Sequence, residues 1–378
     1  MASEKSGPLV GVRVVEFAGL GPAPFVAMLL SDMGAEVLRI DRRDSHERPR
    51  DILNRGRASL LADLKDTADL AKLRDIIGRA DVLIEGFRPG VMERNGLGPD
   101  DLCAENPRLV YLRMTGWGQD GPLAQRAGHD INYIALSGAL APIGSPERPP
   151  LPPLNLVGDF GGGAMFAALG VVSSLYEREK SGRGQVIDAA MVDGAANLLA
   201  MYLSHQQGGR KGTGFDRGDY FLDGAAPYYR CYECADGRFV AVGAIEPKFW
   251  RILLEVAGLD ETLSQEPDEW SEMASRLDAV FRTRSRDEWV VLFEGRDACL
   301  APVLRHDEVE NNEHLAARDT YVRLGGLLQP APAPRFSRTV SRISGAPVRV
   351  GEGGEALAET WLQARPNSAS GSGGGSKL

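Results

Sequence analysis

Short apolar runs at 12–17, 37–40, 60–64, 82–84 and 109–112 are separated by stretches whose apolar residues recur every three or four positions, at 25–33, 70–77 and Pro99–Glu105. The runs read as buried strands and the stretches between them as amphipathic helices. Strand–helix–strand alternation predicts an α/β layer, Rossmann-like, with a parallel sheet covered by helices. Ligands of such a layer belong beyond the carboxyl ends of its strands. Further on, helices are expected at 164–180 and 193–205 with a strand at 185–188 between them. Residues 228–242 read as a hairpin turning at Ala235-Asp236-Gly237, because Asp-Gly suits the tight turn, and helices follow at 249–256 and 271–283. The pattern divides the chain into a large domain (1–205), a linker (206–224), a smaller α+β domain (225–325), a returning segment (326–365) and a Gly/Ser tail (366–378) with no core-forming residues.

Composition narrows the function classes. The 378 residues carry a net charge of −9, which argues against nucleic acid as a partner. No apolar run is expected to reach the roughly 20 residues needed to cross a membrane. The amino terminus lacks the apolar stretch of a secretory signal. Four cysteines in a chain this long do not suggest a disulfide framework. Cys231 and Cys234 form a lone CxxC without the second ligand pair that zinc needs. The segment Gly19-Leu20-Gly21-Pro22-Ala23-Pro24 imitates a dinucleotide fingerprint, with Asp41 ending the second strand as a ribose-binding acid would. Its prolines lack the N–H groups a pyrophosphate requires, so it reads instead as a sharp turn into a helix that starts at proline.

Candidate chemistry concentrates between Met114 and Gly163. Gly128-His129-Asp130 stands where a loop gives way to a helix. Asp159 precedes three consecutive glycines and an apolar helix, which places it in the N-cap region, facing backbone N–H groups. The glycine triplet at 161–163 suits close approach of a ligand to the backbone. One imidazole and one carboxylate on different elements supply the two proton-transfer groups that a carbon acid needs at neutral pH. N–H groups near Asp130 and along 161–163 are candidates for stabilising an enolate oxygen.

The series MTGWGQDGP (114–122), AGHDINY (127–133), PLNLVGDFGGG (153–163), GRGQVIDAAMVDG (182–194), LDGAAPYY (222–229) and VGAIEPKFW (242–250) resembles the family III CoA-transferase superfamily, in its α-methylacyl-CoA racemase branch. The likeness is colinear from Val10 to about residue 337. It implies a large Rossmann-like domain, a smaller α+β domain and an interlocked homodimer. The implied substrate is a 2-methyl-branched acyl-CoA thioester, whose α-carbon is inverted through an enolate. Branched fatty, bile-acid-like and drug-like acyl groups all fall within the family's range, and no cofactor is implied beyond CoA, which is part of the substrate. By resemblance the two bases fall on His129 and Asp159, with Glu246 organising the histidine, from the same or the partner subunit. CoA contacts fall on Arg42, Ala62, Asp63, Leu64, Lys65 and Arg94. Further substrate or CoA contacts fall on Gly128, Asp130, Ile131, Asn132 and Tyr133. The turn Asn54-Arg55-Gly56-Arg57 resembles the family's basic turn, whose charge would offset the net acidity locally. An alternative stays open: Asp130 stands where family transferases carry the nucleophile that moves CoA between an acyl-CoA and a carboxylic acid, although those enzymes have an aromatic residue rather than histidine before it. The closing Ser376-Lys377-Leu378 resembles the peroxisomal address read by an import receptor, with the cytoplasm as the alternative location.

Overall fold

The computed structural model describes residues 5–46, 50–209, 212–214 and 216–363. The expected tail 366–378, with its terminal tripeptide, lies outside the described residues. Six strands form a parallel sheet: β1 (Arg13–Phe17), β2 (Glu36–Asp41), β3 (Ala58–Leu61), β4 (Val82–Glu85), β5 (Val110–Thr115) and β6 (Val186–Ala190). Their order, β3-β2-β1-β4-β5-β6, is that of a doubly wound layer, with the reversal of winding between β1 and β4. In-register pairs such as Val15 with Leu38 and Leu83 fix β1 between its neighbours.

The unbroken apolar character of the central strands follows from burial on both faces. Alternate residues point to opposite sides. Val14, Val37, Val82, Ile84, Val110 and Leu112 pack on one face against Val26, Leu30, Ala164, Ala167, Val171 and Leu175. Val15, Leu38, Leu83 and Tyr111 pack on the other against Leu73, Ile76, Ile77, Leu102 and Trp361. The helix Gly354–Gln363 returns Trp361 to this second face, where its indole N–H donates to Glu36 at 3.0 Å.

Two compact units emerge. The first takes the described residues of Met1–Tyr133, Asn155–Ala195 and Ala317–Leu378, and the second Ile134–Leu154 and Ala196–Ala316. The second is thus larger than the 225–325 block expected from sequence, for a long-range reason. The Arg217 side chain donates to the carbonyls of Ala141, Ser145 and Arg148 at 3.0–3.2 Å, drawing the 134–154 loop into that unit. The expected linker is likewise held, since Tyr220 packs edge-on to Tyr202 and its hydroxyl lies 2.9 Å from His205 Nδ1. Within this unit β7 (Tyr229–Glu233), β8 (Phe239–Gly243) and β9 (Leu300–Pro302) form an antiparallel sheet. Its cover is the helices Pro247–Ala257 and Trp270–Phe281.

The run Leu156–Ser181 differs from expectation twice. It is long and apolar enough to cross a bilayer, with a mean hydropathy of 1.5, whereas no such run was expected. Its inner face is nevertheless part of the sheet's core. It also opens as a π-helix, Leu156–Met165, before continuing as the α-helix Phe166–Ser181.

Candidate active site

Two cavities open at the carboxyl ends of the strands, where the winding reversal places ligands. One cavity of about 570 Å³ is lined by Phe17 and Ala18 after β1, Asp41, Arg42 and Arg43 after β2, Ala62, Asp63, Leu64 and Lys65 after β3, and Phe87 after β4. It gathers Arg42 and all four residues of the 62–65 segment expected to contact CoA. Three cations at its wall, Arg42, Arg43 and Lys65, suit phosphate groups. Arg42 meanwhile pairs with Asp44 at 2.7 Å in an exposed ion pair, and Arg43 with Asp69 at 2.8 Å. Arg94 is exposed at the end of the short helix Val91–Arg94 and lines none of these walls.

A second cavity of about 320 Å³ shares Phe87 with the first. Gly19, Leu20 and Pro22 form one wall, Met114 to Trp117 the base, and Gly128, His129 and Tyr133 the far side. His129 is exposed at its edge and immediately precedes the helix Asp130–Leu136. The His129 N–H donates to Asn132 Oδ1 at 3.0 Å, and its carbonyl accepts from the N–H groups of Asn132 and Tyr133. That closed turn fixes the backbone carrying the imidazole. Tyr133 meets Trp117 edge to face at 4.8 Å, and a Cβ at Gly128 would fall 2.7 Å from the tyrosine ring. Glycine at 128 therefore lets the histidine turn lie flat against the aromatic pair. Ile131 and Asn132 are exposed and lie outside the cavity lining; Asn132 acts through the turn.

Asp159 is not an N-cap residue, as the sequence suggested, but the fourth residue of the π-helix. Its carboxylate reaches Gly21, where a Cβ would stand 2.9 Å from Oδ2, between the wall residues Leu20 and Pro22. Asn155 Nδ2 donates to the same oxygen at 3.2 Å. Burial pushes the Asp159 carboxyl above the ordinary carboxylate range; the Asn155 hydrogen bond opposes the rise, the Asp130 charge adds to it and His129 opposes it. A raised carboxyl holds its proton more readily, which suits a group that takes or gives protons near neutral pH.

Asp130 is 7% exposed, and its Oδ2 accepts the Asp159 backbone N–H at 2.6 Å. Within the glycine triplet, Gly162 and Gly163 are closely packed. A Cβ at Gly162 would meet Ala195 N at 2.5 Å, and one at Gly194 would overlap the Gly162 carbonyl, so the π-helix and the helix Met191–Leu198 touch backbone to backbone. The basic turn is also internal. Arg55 pairs with Asp32 at 2.5 Å and Arg57 with Glu16, all four buried, so these charges are neutralised rather than offered to an anion. Asp41, the imitation ribose acid, is held by Arg39 and Ser59 at 2.6 Å each. Pro22 opens its helix directly after Gly21, as the turn reading expected. Glu246 stands in the second unit, exposed, just before the helix Pro247–Ala257, with no hydrogen bond from its side chain to that helix end. Among the described residues no cluster of His, Cys, Asp or Glu is arranged to hold a metal.

Sequence reasoning missed Phe87, Gly21 and Asn155. An asparagine four residues before a candidate acid on a helical run was the available signal for Asn155, since one turn brings the two side chains together.

The site is thus a cationic cavity beside one edged by a histidine, both at the carboxyl ends of strands in a doubly wound α/β layer. The chain belongs to CoA-transferase family III, which it matches over residues 9–353. It is 48% identical over 335 residues to the α-methylacyl-CoA racemase of Mus musculus, covering 88% of this chain and 87% of that one. To the α-methylacyl-CoA racemase of Homo sapiens it is 45% identical over 337 residues, again covering 88% and 87%. Its fold matches the crystal structure of a CaiB/BaiF family protein from Brucella suis with a TM-score of 0.82 at 24% identity, covering 94% of this chain and 100% of that one.

Proposed function

We propose that the protein interconverts the R and S forms of 2-methylacyl-CoA thioesters by exchanging the α-proton between His129 and Asp159. The observation that carries this reading is the pairing of these two groups at one site. His129 edges the cavity, the Asp159 carboxylate lies against Gly21 behind the wall residues Leu20 and Pro22, and the His129 charge acts on the Asp159 carboxyl. A thioester carbonyl acidifies the neighbouring C–H. One group removes that proton as base, the enolate forms, and the other returns a proton from its own side. The CoA portion would lie along the cationic cavity, with Arg42, Arg43 and Lys65 taking its phosphates and Phe87 marking the passage to the reacting end. The catalysis rests on the chain's own residues with no cofactor beyond the CoA of the substrate.

In deuterated water the enzyme should label the α-carbon of 2-methylacyl-CoA without any acceptor acid. His129→Ala and Asp159→Ala should each slow exchange by roughly 10²–10⁴-fold while CoA still binds. Transfer of CoA to a free acid without α-labelling would establish the transferase alternative instead. Against that alternative stands the burial of Asp130, one of whose oxygens is engaged by the Asp159 N–H.

The expected homodimer has its support on the outer face of the 156–181 helical run. Met165, Leu169, Val172 and Tyr176 follow one another at spacings of four, three and four, and are 39–66% exposed. A stripe of that kind is a surface for a second helix or chain. Light scattering at micromolar concentration should give twice the chain mass, and a monomer retaining full activity would remove the proposal. The peroxisomal address at residues 376–378 remains a proposal, tested by whether deleting Leu378 shifts a tagged copy to the cytosol of a eukaryotic host.

A further inference from the structure

We propose that Asp130 is a positioning residue that straps the Asp159 main chain to the His129 turn, so that one buried carboxylate sets the places of both proton-transfer groups. The inference rests on the racemase reading of the site and assigns Asp130 a task other than nucleophilic attack.

A π-helix leaves its first N–H groups without intrahelical partners, because each bond reaches back five residues. In the helix Leu156–Met165 the ladder is first seen at Phe160, whose N–H donates to the Asn155 carbonyl at 3.3 Å. Asp159, one residue earlier, has no such carbonyl inside the helix, and its N–H is an orphan donor of the kind every helix start presents. Asp130 Oδ2 fills that vacancy at 2.6 Å from twenty-nine residues away. It acts as a cap supplied by another element, and a carboxylate is the apt group at the positive end of a helix.

The other end of the strap is covalent. Asp130 follows His129 directly, and the turn around His129 is closed by the bonds to Asn132 and Tyr133. The strap thus ties the backbone that carries the imidazole to the start of the π-helix that carries Asp159. The second oxygen of Asp130, Oδ1, is buried with no hydrogen-bond partner among the described residues. Among the described residues, the strap is the one hydrogen bond that holds this side chain. Four groups face the Asp159 carboxyl: Asn155 through its hydrogen bond, and Asp130, His129 and Tyr133 through charge or close approach. Of these, Asp130 alone combines a direct bond to the Asp159 backbone with a negative charge that raises the Asp159 carboxyl.

The test uses Asp130→Asn and Asp130→Ala in the full chain, each assayed for α-proton exchange over a range of pH and for CoA binding. Asparagine keeps an acceptor oxygen and loses the charge; alanine loses both. Alanine should lower kcat by about 10²-fold with KM nearly unchanged, the scale of a misplaced reacting group. Asparagine should restore most of the rate and move the acid limb of the profile to lower pH, since the charge that raised Asp159 is gone. Asparagine as inactive as alanine is what a covalent nucleophile would give, and that result overturns the strap, as does full activity in alanine. Should the alanine variant not fold, an unmoved acid limb in the asparagine variant is the overturning result. Absence of exchange in the unaltered enzyme would instead overturn the racemase reading. The strap would then be judged on amide hydrogen exchange, where Asp130→Ala should expose the Asp159 N–H and Asp130→Asn should not; equal protection in both variants would overturn it.

Discussion

Gly21→Ala offers a separable test of how closely the Asp159 carboxylate must be held. Gly21 has φ of +69° and ψ of −117°, a backbone conformation that a residue with a side chain rarely adopts. The new Cβ would lie 2.9 Å from Asp159 Oδ2, closer than a carbon and an oxygen rest without a bond between them. The carboxylate is the softer partner and must retreat. Its hydrogen bond from Asn155 is already 3.2 Å long, at the far end of the useful range, and breaks as the group turns away. A displacement of about 1 Å at a reacting group costs about 10²-fold in rate, so a fall in kcat between roughly 10- and 100-fold is expected. CoA binding should be unchanged, since Gly21 lies outside the cationic cavity. Gly11→Ala is the control. Gly11 also has a positive φ, +90°, but a Cβ there meets nothing within 4 Å, and it precedes β1 at the end of the sheet away from the site. Both variants should lose thermal stability by calorimetry, Gly21→Ala the more, while only Gly21→Ala loses α-deuterium exchange, followed by proton NMR. Exchange by Gly21→Ala within about twofold of the unaltered enzyme, or an equal loss in Gly11→Ala, would refute the reasoning, because the rate would then not depend on the contact.

Further outcomes follow from the same site and core. Asn155→Ala removes the bond that holds the Asp159 carboxyl down, so the carboxyl rises further and the acid limb of the exchange profile moves to higher pH. Replacing Arg57 by Met leaves Glu16 buried without its partner, at a cost of about 3–5 kcal/mol readable in urea unfolding. Arg42→Ala should weaken CoA binding by about tenfold by titration calorimetry, and the difference should shrink at high salt because the side chain is exposed.

The resemblance extends over nearly all of the chain that the comparisons cover, and both the fold and the family follow it. Within the site the outcome is divided. Arg42 and residues 62–65 come together because they close two adjacent strands of one parallel sheet, which is a local consequence of strand order. Arg94 was carried by the same resemblance and lies outside that cavity. Arg55 and Arg57 sit in a turn that looks like an exposed basic patch, yet each is buried against a carboxylate from another element. Sequence reports charge but not the distance to the opposite charge.

What the sequence determined by itself is the layer: apolar runs buried on both faces, helices between them, and therefore a parallel sheet with ligands beyond its carboxyl ends. These follow from periodicity, which each segment carries locally. Tertiary structure alone decided that Asp159 rides on a π-helix rather than capping an α-helix, that Gly162 meets Gly194 backbone to backbone, and that Asp130 reaches across to the Asp159 N–H. It also drew residues 134–154 into the second unit through Arg217. Apart from the π-helix, whose bonds reach back five residues, each of these rests on a bond or a close approach between segments roughly thirty or more residues apart. A period along the chain shows which face a residue turns inward, whereas only packing shows what it meets there.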